Sequence, residues 1–262
     1  MSVFAKRDDC RIYTLTYKPT PYKLPDNALY TTLHCGAELH NYHFGLPDNL
    51  GTENISRYNN VYCDLSGTFW IWRNHPTTLD YIGQMQYSKQ IRFKPDTDFG
   101  KIFKEYDAIC AKPIHTALGG APISVRRQFT IWHPKEIIDM AEDIIKTDFP
   151  EYYEAWDKYV NNDSVIYYSA GYVLRTQDYE EWCRLFFGVC DRIIERYGAT
   201  KDTIFNVFKK KFDSGEWENK FIGRGDNYHC LIFGFLAERI FTAFVRNLGK
   251  IKEVEYKFMG RV

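Results

Sequence analysis

Asp64 lies in Tyr62-Cys63-Asp64-Leu65-Ser66-Gly67-Thr68-Phe69-Trp70-Ile71-Trp72-Arg73-Asn74, which mixes an acid, hydroxyls, an amide and two tryptophans. Leucines would serve for packing alone. Tryptophan and tyrosine sit in a core without penalty only when their N–H and O–H groups find partners. The stretch is therefore a candidate wall of a polar pocket and not only a core face, with Asp64 either a ligand-binding or catalytic carboxylate or the acceptor of a structural hydrogen bond from Arg or Trp, and Trp72 as a face for a ring. A second acid, Glu238, sits beside Arg239 inside an apolar run from Leu231 to Phe244. A carboxylate there is costly unless it is paired or functional. It is either a general base or half of a structural ion pair that anchors neighbouring loops.

Two cations stand where strands should end. Lys18 follows Thr16-Tyr17, and Lys89 follows Tyr87. Each suits a phosphate, and each tyrosine suits a base or sugar face; the plain alternative is a solvated lysine. His115, His133 and His229 are isolated and read as structural. His34, His40 and His43 cluster on an early loop but lack the cysteines or acids of a metal frame. Arg126-Arg127 and Lys209-Lys210-Lys211 read as solvated pairs or faces, the latter with anionic lipid headgroups as the functional alternative.

Composition narrows the classes. The 262 residues are 45% hydrophobic, enough for a sizeable core. Aromatics reach 17%, with 20 Tyr and 19 Phe, an excess that favours stacking surfaces. Lys plus Arg equals Asp plus Glu, 34 each, which disfavours a dedicated nucleic-acid binder. The seven cysteines form no Cys-x-x-Cys pair, so a structural zinc is disfavoured and they read as reduced thiols. The polar start and the lack of a long apolar run predict a cytoplasmic chain without a signal peptide or membrane span.

These residues need elements to position them. Arg11–Thr16 and Leu29–Cys35 read as strands, followed by a long loop to Tyr58 and an aromatic helix over Val61–Trp72. Thr78–Ile82 and Ala108–Ala111 read as further strands, and Val165–Leu174 as one more with Gly171 inside it. Pro134–Asp148, Phe149–Val160, Thr176–Tyr197, Thr203–Phe212 and Leu231–Leu248 read as helices from their apolar period. The expectation is one α/β domain over 1–262, with a mainly parallel sheet and a helical C-terminal half. Strands near Tyr13, Ile82 and Ile109 should be neighbours. Ligands bind beyond the C-terminal ends of parallel strands, which places Thr16–Lys18, Gln84–Ser88 and Lys112–His115 around one crevice.

Five blocks carry a resemblance: Thr16-Tyr17-Lys18-Pro19, Glu53-Asn54-Ile55-Ser56, the aromatic stretch, Asp80-Tyr81-Ile82-Gly83, and Phe233 to Phe241. In this order they resemble a family of bacterial capsule and exopolysaccharide synthesis proteins, long catalogued as a domain of unknown function and now placed among glycosyltransferases. The resemblance implies a GT-A-like nucleotide-sugar fold. It implies a donor that is UDP-linked, with UDP-galactofuranose or UDP-galactose favoured, and a polysaccharide or lipid-linked glycan acceptor, with peripheral contact at the inner membrane face allowed. Thr16, Tyr17, Lys18, Asn54, Trp72, Tyr87 and Lys89 become candidate donor-binding residues, and Glu238 and Asp64 candidate catalytic ones. The chain departs from the family at Gln86-Tyr87-Ser88-Lys89, where the pattern is His-Tyr-Arg-Arg, so a single cation remains. No Asp-x-Asp follows the strand at Tyr81-Ile82, so no cofactor is expected and a metal-independent reaction is favoured, a divalent ion being the alternative. The competing function is a non-catalytic sugar- or nucleotide-sugar-binding protein on the same fold.

Overall fold

The computed structural model describes residues 7–259 apart from 52, 222 and 226. Its centre is a nine-stranded sheet. The strands are β1 (Cys10–Thr16), β2 (Tyr30–His34), β3 (Leu46–Pro47), β4 (Tyr81–Gln86), β5 (Lys89–Gln90), β6 (Ala108–Ala111), β7 (Tyr172–Arg175), β8 (Ile251–Val254) and β9 (Lys257–Phe258). The order is β8-β6-β7-β4-β1-β2-β3, with β5 pairing β4 and β9 pairing β5. β1 runs parallel to both β2 and β4, β2 to β3, and β6 to β8. The mainly parallel α/β fold expected from the sequence is present.

One neighbour relation differs. β1 and β4 are adjacent, but β7 lies between β4 and β6 and runs antiparallel to both. The reason lies at Gly171, whose φ of 117° is open to glycine and closed to most side chains. The apolar run Val165–Leu174 therefore does not form one strand. Val165–Ile166 pairs with Ile114–His115 in a separate ribbon, and the chain re-enters the main sheet after the glycine.

Side chains alternate across the sheet. On β1, Tyr13 and Leu15 face one core and Cys10 and Ile12 the other. The first core holds most of the helices. These are α1 (Asn59–Tyr62), α2 (Leu65–Asn74), α3 (Phe99–Ile102), α4 (Val125–Trp132), α5 (Lys135–Asp148), α6 (Tyr153–Trp156), α7 (Thr176–Arg196), α8 (Ile204–Asp213) and α9 (Ile232–Leu248). Helix α5 buries Ile137, Ile138, Ala141, Ile144 and Ile145, the stripe its period predicts. Helix α3 instead supplies Phe99 to the second core.

The aromatic helix is broken where one continuous helix was expected. Cys63 takes φ 57°, ψ −142°, a conformation that costs a non-glycine residue roughly 1–3 kcal/mol. Gly234 on α9 makes room for it, since a Cβ there would lie 3.0 Å from the Cys63 Cβ. The kink ends α1 and restarts the chain as α2 with Asp64 at its head.

The polar side chains of α2 serve packing. Asp48 is fully buried and accepts from the backbone of Gly36 and Ala37 and from the hydroxyls of Ser56 and Ser66. Trp70 donates to the Leu50 carbonyl at 2.6 Å, and Thr68 accepts from Gln84 at 3.1 Å. Of the pocket wall read into this stretch, only its first turn, at Asp64, reaches the sheet edge described next.

Candidate functional site

Registers fix which residues meet. Thr16 pairs with His34, and Leu15 with Gln86. The C-terminal ends of β1, β2 and β4 therefore share one edge. Helix α2 returns antiparallel to the strands it connects, so its N-terminal end, with Asp64, comes to that same edge.

Gln86 and Lys89 are directly opposed across the tight reversal from β4 to β5. Opposed residues of an antiparallel pair project to the same face, so both side chains turn towards Asp64. The Gln86 amide donates to the Asp64 carboxylate at 2.8 Å. Burial raises the Asp64 carboxyl above its ordinary range, with Gln86 and the Lys89 charge opposing. Lys89 is shifted the other way: burial lowers its ammonium, while Glu238 and Asp64 hold the charge on. Its Nζ sits 3.5 Å from the Tyr168 ring centre, a close cation–π contact. A lysine so enclosed, between two acids and an aromatic face, is not the solvated strand-end lysine of the plain alternative.

A tyrosine cluster adjoins this group. Tyr87 stacks on Tyr22 at 6.1 Å and meets Tyr17 edge-on at 6.0 Å. Burial raises the Tyr87 phenol, with Tyr17, Tyr22 and Asp64 adding to the shift. Tyr17 is exposed, and the Lys18 ammonium lies 5.2 Å from its ring. Thr16 is buried, and its hydroxyl donates to the Lys18 carbonyl at 2.7 Å, which shapes the turn that presents Tyr17.

Glu238 comes to the cluster from α9. Its Oε2 accepts from Arg239 at 3.0 Å, and Arg239 is otherwise held by the Phe235 carbonyl, Gln128 and the Phe129 ring. The structural ion pair considered for this dipeptide is therefore real. Glu238 nonetheless lines a cavity of about 420 Å³ and acts electrostatically on Lys89 and Tyr168. It faces the cluster and the brace at once.

Other candidates are placed elsewhere. Trp72 lies near the far end of α2, roughly 12 Å along the axis from Asp64. It stacks on Phe187 of α7 at 5.8 Å and beneath Arg73. Asn54 accepts from the Ser56 backbone in a local turn, next to Glu53, whose carbonyl takes the Asn74 amide. That is also the far end of α2. Lys112 pairs with Glu255. Arg126 is held by Asp139, Glu142 and Asn161, and His133 is buried against Phe129 and Phe235. His34 is fully buried and stacks on His40 and Phe44. In the lysine run, Lys209 pairs with Asp213 and Lys211 with Glu216 and Glu136.

Four participants escaped the sequence reading: Gln86 as the holder of Asp64, Tyr22, Tyr168 and the strained Cys63. Gln86 lay in the segment singled out from the sequence as departing from the resembled pattern, but its bond to Asp64 carried no signal there. Tyr168 carried no signal, because only the fold brings it over Lys89.

At this edge the Asp64 carboxylate accepts from Gln86 and the Glu238 carboxylate from Arg239. Among the described residues no group of three His, Cys, Asp or Glu side chains is placed to hold a metal. No helix among them is long and apolar enough to cross a membrane.

Comparison with known proteins places the fold. A solved structure described as the apo form of WbbM, a bifunctional glycosyltransferase, superposes with a TM-score of 0.71 over 97% of this chain at 21% identity. The chain spans 46% of that protein, and the likeness at this identity speaks for the shared GT-A-like fold. No curated protein matches. A model of a domain of unknown function, DUF4422, matches residues 11–212, well over half of the length. This chain belongs to the DUF4422 family.

Proposed function

We propose that this protein is a glycosyltransferase that moves a sugar from a nucleotide diphosphate donor to a hydroxyl of a glycan. One observation carries the reading. Asp64, Gln86, Lys89 and Glu238 converge beside Tyr17, Tyr22 and Tyr87 at the C-terminal edge of the parallel strands, where open α/β sheets bind ligands. The fold shared with a glycosyltransferase supports it. A UDP-linked donor is favoured, and galactose or galactofuranose follows from the family resemblance. Contact with a membrane surface rests on little, because Lys209 and Lys211 already have acidic partners.

In this mechanism the exposed face of Tyr17, with the half-buried Tyr22 and Tyr87 beside it, holds the base and ribose. Lys89 stabilises charge on the departing diphosphate, the task a metal performs elsewhere. Its enclosed position strengthens that interaction relative to water. Asp64, fixed by Gln86, accepts hydrogen bonds from sugar hydroxyls. Glu238 takes the proton of the acceptor hydroxyl as the oxygen bonds to the anomeric carbon. The bond from that carbon to the diphosphate oxygen breaks, and its electron pair leaves with the nucleotide. This assignment belongs to an inverting reaction. Chelator should leave the rate unchanged. Activity that vanishes with chelator and returns with manganese would contradict the role given to Lys89.

The second reading is a nucleotide-sugar-binding protein without turnover. The engagement of Glu238 by Arg239 and the single cation on the Gln86–Lys89 segment favour it. Release of free UDP from a panel of UDP-sugars separates the two. Saturable release supports the transferase; tight binding without release supports the binding protein.

A further inference from the structure

We propose that the groove leading away from Glu238 is the acceptor site, and that it takes a glycan chain of at least two sugars. The inference rests on reading the surroundings of Glu238 as the transfer centre. Two cavities, of about 420 and 360 Å³, share Trp132, His133 and Lys220 as a common wall. We read these adjoining cavities as two parts of one groove that passes the three shared residues, each part within the size range of a ligand pocket, about 300–1,000 Å³. The inner part reaches Glu238; the outer part runs to Glu136 and Glu216. A hydroxyl at the inner end is delivered to the group that would take its proton, and the rest of the ligand has a lined path outward.

The wall chemistry fits carbohydrate. Trp132 closes α4 and is 44% exposed, a large apolar ring left open at the junction of the two parts. Phe221 packs beside it at 5.9 Å. Flat aromatic surface at mid-groove suits the C–H face of a sugar ring. Taken together the two parts carry four cations (Lys135, Lys220, Arg224, Arg239) and four carboxylates (Glu136, Glu216, Glu218, Glu238), the cations concentrated at the inner part, and this overall balance suits a polyhydroxylated ligand rather than an extended polyanion. At the inner end His133 is kept neutral, burial and Arg239 lowering its pKa to about 2. The junction at Trp132 lies between the parts, which is why the occupant must extend beyond one ring.

The test is a printed array of bacterial surface glycans graded from mono- to octasaccharide, probed with wild type, Trp132→Ala and Trp132→Phe. UDP affinity is measured on the same proteins by calorimetry. The expected result is binding to a related set of glycans that rises about tenfold or more from one sugar to three. Trp132→Ala should lose it by about tenfold, Trp132→Phe should retain most of it, and UDP affinity should be unchanged in both. Glycan binding without UDP binding supports the groove and overturns the donor reading. UDP binding with no glycan bound, with no length dependence, or with Trp132→Ala unaffected, overturns the groove alone.

Discussion

Replacing Glu238 by glutamine separates two roles that the structure gives to one carboxylate. As a brace, Glu238 holds Arg239 at 3.0 Å, its side chain 27% exposed and that of Arg239 only 3%. Exposed pairs contribute about 0–1 kcal/mol, and breaking a buried pair costs about 3–5 kcal/mol. Glutamine keeps an oxygen for the guanidinium, and Arg239 keeps the Phe235 carbonyl. The cost should therefore be about 1–2 kcal/mol, a fall in Tm of roughly 3–6 °C for a chain of this size. Such a loss leaves a protein of ordinary stability overwhelmingly folded, so it cannot by itself slow turnover. As a base, Glu238 should contribute about 10²–10⁴ in rate. The assay pairs thermal melting with UDP release at saturating UDP-galactose and calorimetric UDP affinity. The expected Glu238→Gln protein melts a few degrees lower, binds UDP as wild type does and releases it at least about a hundredfold more slowly. Turnover within about threefold of wild type would refute the base; an unchanged Tm would refute the brace.

Asp64→Asn should raise Tm at neutral pH. Burial lifts the folded carboxyl above its ordinary pKa, so its contribution to stability is full below about pH 3.9 and is lost as pH rises through the lifted value. The advantage of the variant should narrow as melting is measured at falling pH; an advantage that is absent at pH 7, or that widens on acidification, would contradict the placement of Asp64. Asp48→Ala strands two backbone and two hydroxyl donors at a fully buried site. It should cost about 3–5 kcal/mol, lowering the urea midpoint by roughly 1–2 M. A shift below about 0.3 M would show that this hub is not what holds the long early loop.

The fold was legible where a local period decides it. The stripe of α5, the long helices α7 and α9, and the strands Cys10–Thr16 and Ala108–Ala111 follow from apolar spacing that neighbours do not override. What stayed hidden depends on single backbone positions and on long-range register. Cys63 breaks the aromatic helix because Gly234, far away in sequence, leaves space for its strained backbone. Gly171 splits a strand-like run, and only the resulting topology inserts β7 between β4 and β6. The site shows the same division. Tyr17, Tyr87, Lys89, Asp64 and Glu238 could be singled out by residue type and strand-end position. Trp72 and Asn54 could not be set aside, because helix length carries them to the opposite end of α2 from Asp64. Tyr168 and Tyr22 became visible only once the sheet edge was assembled.

The central claim is that the edge carrying Tyr17, Tyr87, Asp64 and Lys89 is the nucleotide site. Calorimetric titration of UDP into wild type, Lys89→Ala and Asn54→Ala tests it most directly. The account predicts that wild type binds UDP, that Lys89→Ala weakens binding by about tenfold or more through loss of a charge-assisted phosphate contact, and that Asn54→Ala binds as wild type does. A Lys89→Ala protein with undiminished affinity, or a wild type that binds no UDP, would contradict it.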